Sequence, residues 1–138
     1  MTNNSNLFNT VRGIPLYEGK MIYQFSNTLA KPRYWINEKT GTVHLLNKEK
    51  KRLRKNMYKK TTPQIDSRCY RLVWRDVTNA VDRRTMIATV LPPHVFLGNT
   101  LSYIRPTTHD KTGYAYSMSL QEITYLCGML NSFPVDFV

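Results

Sequence analysis

Between Lys48 and Lys60 the chain carries eight basic residues, Lys48, Lys50, Lys51, Arg52, Arg54, Lys55, Lys59 and Lys60, against a single acid, Glu49. That run supplies +7 of a formal net charge of +11, and the whole chain has 20 Lys and Arg against 9 Asp and Glu. Cations at this density bind polyanions, because each neutralised phosphate releases condensed counterions and the gain is entropic. The run also reads as a solvated loop whose charge serves solubility. A lipid surface is the poorest fit, since only Leu53, Met57 and Tyr58 are there to enter it.

A second group of hydrogen-bonding side chains, Arg75, Asp76, Thr78, Asn79, Arg83, Arg84 and Thr85, gathers at and just beyond the end of an apolar run. In the major groove Arg forks onto guanine and Asn onto adenine, each bidentate contact being worth about 1–3 kcal/mol of discrimination. The competing reading pairs Arg75 with Asp76 or with backbone to hold the loop, and makes Arg83, Arg84 and Thr85 scaffold or phosphate contacts. Lys20 follows Gly19, a residue small enough to let its amide approach a phosphate. A plain tight turn explains Gly19 equally well.

Catalytic patterns are missing from the sequence. An adenine methyltransferase needs a glycine-rich turn for its sulfonium cofactor and an Asn or Asp before Pro-Pro-aromatic to accept the flipped amine. The nearest run, Leu91-Pro92-Pro93-His94, puts leucine where the acceptor belongs, and it reads as a strand stop. Asp66, Asp76 and Asp82 lack the spacing of a metal-dependent nuclease. His44, His94 and His109 with Cys69 and Cys127 are too dispersed for structural zinc. No catalytic residue, cofactor site or metal site is therefore assigned to this chain.

The elements that would position these residues read as mixed. Alternation predicts strands over Met21–Phe25 and Arg33–Ile36, with Asn37–Gly41 turning into a strand over Thr42–Leu46 to make a hairpin. The basic run has helix-forming residues that Thr61-Thr62-Pro63 must end. Tyr70–Arg75 predicts a strand with Tyr70, Leu72 and Trp74 on the core face. Met86–Leu91 is a continuous apolar run suited to a central strand covered on both sides. Strand segments follow around Gly98-Asn99, then a polar loop over Thr107–Gly113. Ser119 with Glu122 makes a capping box for a last helix whose face is Leu120, Ile123, Leu126, Cys127 and Leu130. The fold class expected is α+β, a mixed, mostly antiparallel sheet with a C-terminal capped helix, in a single domain over residues 13–138 after a flexible N-terminus over 1–12.

At 138 residues the chain is one domain by length, and 41% hydrophobic residues suffice for a core. No apolar stretch has the length of a membrane span, and the polar start lacks the regions of a signal peptide. Two cysteines do not make a disulfide scaffold, and free thiols suit a reducing compartment, so the expected location is cytoplasmic.

Two runs, Ile14-Pro15-Leu16-Tyr17-Glu18-Gly19-Lys20-Met21-Ile22-Tyr23-Gln24-Phe25 and Tyr70-Arg71-Leu72-Val73-Trp74-Arg75-Asp76-Val77-Thr78-Asn79 with Asp82-Arg83-Arg84-Thr85-Met86-Ile87-Ala88-Thr89-Val90-Leu91-Pro92-Pro93, occur in a telling order. Tyr125-Leu126-Cys127-Gly128-Met129-Leu130-Asn131-Ser132 follows them. The arrangement resembles the TaqI-like C-terminal specificity region of type IIG-like restriction-modification adenine-specific DNA methyltransferases, roughly from Leu16 onward, with the basic run unaligned. The resemblance implies a target-recognition part of a larger enzyme in phage defence, non-catalytic by itself. Its partners would be double-stranded DNA and a methyltransferase or restriction module in cis or trans, with S-adenosylmethionine bound elsewhere. Residues shared across enzymes of different target cannot set the target, so base readers are expected in Asn47–Tyr58 and Thr107–Tyr116. Tyr34, Trp35, Tyr58, Tyr103, Tyr114 and Tyr116 leave open RNA or single-strand binding by stacking. A protein-interaction module for an acidic partner is the third reading.

Overall fold

The computed structural model describes residues 7–9, 12–55, 63–78, 83–109 and 115–136. In chain order these form β1 (Phe8–Asn9), β2 (Ile14–Tyr17), β3 (Tyr34–Ile36), α1 (Glu38–Lys55), β4 (Arg71–Arg75), β5 (Ala88–Leu91), β6 (Phe96–Leu97), β7 (Leu101–Tyr103), β8 (Thr107–His109), β9 (Ala115–Ser117), α2 (Leu120–Leu130) and α3 (Phe133–Asp136). The fold is α+β, with the strands divided among three sheets. One has the order β1-β3-β2-β6, the second β5-β4-β7, and the third is the pair β8-β9. All pairings are antiparallel except β2 with β6. Phe8–Asn9 pairs with β3, so part of the N-terminal stretch expected to be flexible is a strand.

The expected hairpin over Arg33–Leu46 is replaced, after β3, by the first half of α1. Asn37 starts the helix rather than a turn: its Oδ1 accepts from the amides of Lys39 (3.0 Å) and Thr40 (3.3 Å), the role of an N-cap. Gly41 donates to the Asn37 carbonyl, 2.9 Å away, and lies against Phe96, where a Cβ would stand 2.5 Å from the ring. The straight-chain residues from Lys48 onward are strong helix formers. Helix propagation is cooperative, so the β-branched segment Thr42-Val43 is carried into helix despite its strand propensity.

Met21–Phe25 is likewise not a strand. A short 3₁₀ turn spans Gly19–Met21, after which the chain reverses through a Tyr23–Ser26 bridge with Phe25 at φ 59°. Met21 and Ile22 are both fully buried, which no alternating strand on one core face allows.

β4, not β5, is the central strand of its sheet. Leu72 and Trp74 face α2 together with Ala88, Ile123 and Cys127, while Val73 faces Ile22, Leu91, Val95 and Leu101. Both faces of β4 are thus covered, and Arg71 is buried on the Val73 side although it was expected opposite the core. β5 lies at the edge, but its free groups are occupied by side-chain amides. Asn131 accepts from Ala88 N–H (3.0 Å) and donates to Ala88 C=O (2.8 Å), while Asn27 donates to Val90 C=O (3.0 Å). An edge strand so covered offers no template for a further strand. A third cluster, Leu16, Ile36 and Phe96, with Leu45 against it, seats α1 on the first sheet.

The turn Gly98–Thr100 joins β6 to β7 and so passes between the two larger sheets rather than closing a hairpin. The polar loop expected over Thr107–Gly113 includes β8, paired with β9 in the third sheet. α2 forms as expected, with Ser119 Oγ accepting from the Glu122 amide and the Glu122 carboxylate accepting from Ser119 N–H. Ile123 and Cys127 are buried on its inner face, whereas Leu120 is half-exposed. Both thiols are free. Among the described residues no helix is long and apolar enough to cross a membrane.

Candidate nucleic-acid interface and the polar pocket beside it

α1 is two-sided. Gly41, Glu49 and Leu53 are buried, with Thr42, Leu45, Leu46 and Arg52 half-buried on the same side. Thr40, Val43, Asn47, Lys50, Lys51 and Arg54 are exposed, and their spacing of three, four and seven places them along one helical face. Lys48 stands exposed at the border of the two sides. At about 1.5 Å per residue the 18 residues extend about 27 Å. None of Lys48, Lys50, Lys51 and Arg54 pairs with an acid among the described residues.

The one acid between Lys48 and Lys60 is turned inward. Glu49 accepts hydrogen bonds from Arg52 Nε (3.0 Å) and from Arg105 Nη1 (3.2 Å) and Nη2 (3.0 Å). Burial alone would raise its carboxyl pKa, but the two guanidiniums outweigh that and hold it below the usual value. Arg105 also reaches Asp66 at 3.7 Å. Asp66 accepts from Tyr103 Oη (2.8 Å) and Thr107 Oγ1 (3.3 Å). Tyr103, desolvated and facing that carboxylate, has its phenol pKa pushed up to about 12.

Arg71 is the odd member of this group. Arg71 is 3% exposed, and its guanidinium donates through Nη2 to the Val95 carbonyl at 2.6 Å and lies 5.8 Å from the Tyr103 ring centre. Its Nε has no acceptor among the described residues. Burial lowers its pKa, and the negative charge of Asp66 only partly opposes this. These groups border a cavity of about 320 Å³ between α1, the segment Gln64–Ser67 and the β6–β7 turn.

The other sequence-predicted residues are dispersed. Arg75 turns inward, with Nε donating to Gly19 C=O (2.8 Å) and Nη2 to Ile22 C=O (2.7 Å), so it holds the turn over Gly19–Met21. The Gly19 amide is not available to a phosphate, because it donates to Thr100 Oγ1 at 2.8 Å. Lys20 is half-exposed and pairs with Glu18 at 3.2 Å. Arg83 and Thr85 are exposed and Arg84 half-buried. Arg84 and Thr85 both have partners within the protein. Lys59, Lys60 and Asn79 lie outside the described residues, and of Lys55 only the backbone, the last residue of α1, is described. Of the aromatics considered for stacking, Tyr34 is already stacked on Phe8 (5.1 Å) under Arg33, and Tyr103 is engaged with Asp66. Tyr58 and Tyr114 lie outside the described residues.

Sequence reasoning passed over Arg71 and Arg105 as site residues, and weighed Asp66 and Tyr103 only in other roles, as a scattered carboxylate and a stacking aromatic. Two signals pointed to them: an arginine inside an apolar strand run, and a lone glutamate within a basic run. Among the described residues no three His, Cys, Asp or Glu side chains come together as a metal site. Set against protein-family models, curated proteins and solved structures, the chain matches none of them.

Proposed function

We propose that the chain binds double-stranded DNA through the exposed face of α1, as the target-recognition part of a restriction-modification adenine methyltransferase whose catalytic machinery and S-adenosylmethionine site lie in another module, in cis or in trans. The observation that carries this reading is the asymmetry of α1. Lys48, Lys50, Lys51 and Arg54 project without acidic partners beside Asn47, while Glu49 is buried among arginines. A helix fits the major groove, about 12 Å wide, where flanking cations meet phosphates and Asn47 and Arg54 are placed to reach base edges. In this reading the base readers on α1 fall within the expected Asn47–Tyr58, and Arg75 takes no part because it is committed to backbone carbonyls.

Three phosphate contacts, from Lys48, Lys50 and Lys51, predict a slope of log K against log salt of about −2.7. A cytoplasmic setting accords with the two free thiols. The test is selection from random duplex DNA by the purified chain at two salt concentrations, with single-stranded DNA and RNA in parallel. Enrichment of a short motif that survives the higher salt supports the proposal. Tighter binding to single strands than to duplex, or no nucleic-acid binding at low salt, refutes it.

A further inference from the structure

We propose that the cavity beside α1 is a binding site for a phosphoryl group, carried by a small molecule of mononucleotide size or presented by the backbone of bound DNA. Glu49 and Asp66 on one side, and Arg52 and Arg105 on the other, form a cluster of two negative and two positive charges joined at 2.5–3.7 Å. That cluster is neutral as a unit. Arg71 and Lys48, which line the same cavity, are left over with charge +2.

Arg71 is the decisive member, since it is 97% buried by side-chain and backbone area together and has no carboxylate within ion-pair distance among the described residues. A guanidinium so desolvated and unpaired is costly. It makes the neighbouring cavity a strongly favourable place for an anion. Lys48 stands exposed at the same cavity and supplies a second cation toward solvent. Ser67 and Asn99 line the wall and can donate to further anion oxygens. A volume of about 320 Å³ is at the small end of ligand sites, which suits one phosphate with a sugar or base attached. This site does not depend on DNA binding by the outer face of α1, which is formed by different side chains except for Lys48.

Inorganic phosphate, adenosine 5′-monophosphate, adenosine and a duplex oligonucleotide are each titrated against the full chain, at ionic strength matched with chloride, while the thermal midpoint is followed. The wild type is expected to gain stability with phosphate or the monophosphate but not with adenosine, and Arg71→Met to lose that gain. Because methionine removes the unpaired buried charge at similar volume, Arg71→Met without ligand is expected to melt at or above the wild-type midpoint. Lys48→Ala, on the exposed side, is expected to weaken the small phosphates roughly two- to fivefold, which keeps the proposal testable should Arg71→Met not fold. Stabilisation by the duplex alone, lost in Arg71→Met, assigns the phosphoryl group to DNA rather than to a small molecule. Equal response of wild type and both variants to all phosphates, or a response to none, overturns the proposal.

Discussion

Glu49→Gln offers a perturbation whose effects on folding and on DNA binding run in opposite directions. Glu49 is 7% exposed, and its carboxylate accepts charge-assisted hydrogen bonds from four guanidinium nitrogens, Nε and Nη2 of Arg52 and Nη1 and Nη2 of Arg105, at 2.5–3.2 Å. Hydrogen bonds to charged groups are worth about 1.5–3 kcal/mol each in favourable cases. Both arginines are about one-third exposed (35% and 36% of side-chain area) and regain water when released. The net loss is therefore set at the low end, about 2 kcal/mol.

In a chain of this length that lowers the thermal midpoint by about 6–10 °C. The same change frees Arg52 and removes one negative charge from α1, so the salt slope of duplex binding steepens by up to about 0.9. Acid titration adds a control with a definite sign. The folded pKa of Glu49 is lowered, so its contribution is complete above the ordinary value of 4.5 and disappears as pH falls through the folded value. The difference between wild type and Glu49→Gln must shrink below that pH. A stability loss under 0.5 kcal/mol at pH 7, or a difference that grows on acidification, would refute the ionic account of this cluster.

Three further outcomes follow from local geometry. Asn131→Ala strips both side-chain hydrogen bonds from Ala88 and leaves its buried N–H without a partner, while its C=O keeps the bond from Phe25 N–H (3.1 Å); urea titration should show a loss of about 1–3 kcal/mol with unchanged slope. Gly41→Ala gains about 1 kcal/mol of helix propensity but drives a Cβ to 2.5 Å from the buried Phe96 ring, so the variant should melt lower than wild type despite the better helix former. Tyr103→Phe loses the 2.8 Å bond to Asp66. Because the folded phenol pKa is raised to about 12 from 10, the tyrosine's contribution is whole below pH 10 and lost between pH 10 and 12, a decline the phenylalanine variant should not show.

What the sequence disclosed was mostly what neighbours along the chain decide. α2 was legible because its cap and its apolar spacing are local, from Ser119 and Glu122 through Cys127. β4 and β5 announced themselves as apolar runs, yet which of them is central depends on the pairing of β4 with β7, thirty residues away. Thr42–Leu46 was misread because strand propensity competed with a helix nucleated at Asn37 and carried by the basic run. Gly41, a turn signal in isolation, is in fact the place where Phe96 needs room. The polar cluster was least legible of all. Glu49 meets Arg105 across 56 residues, and Arg71 and Asp66 come beside them only once the strands are folded.

The central claim, that α1 presents the DNA-binding face, is tested most directly by the salt dependence of duplex binding in wild type and in the triple variant Lys50→Gln/Lys51→Gln/Arg54→Gln. These side chains are exposed and free of ion pairs among the described residues, so the variant should fold with near wild-type stability. The account predicts that its slope falls by about 1.8, two phosphate-contacting lysines at about 0.9 each, with the motif read by Arg54 lost. An unchanged slope and motif in a folded variant would contradict it.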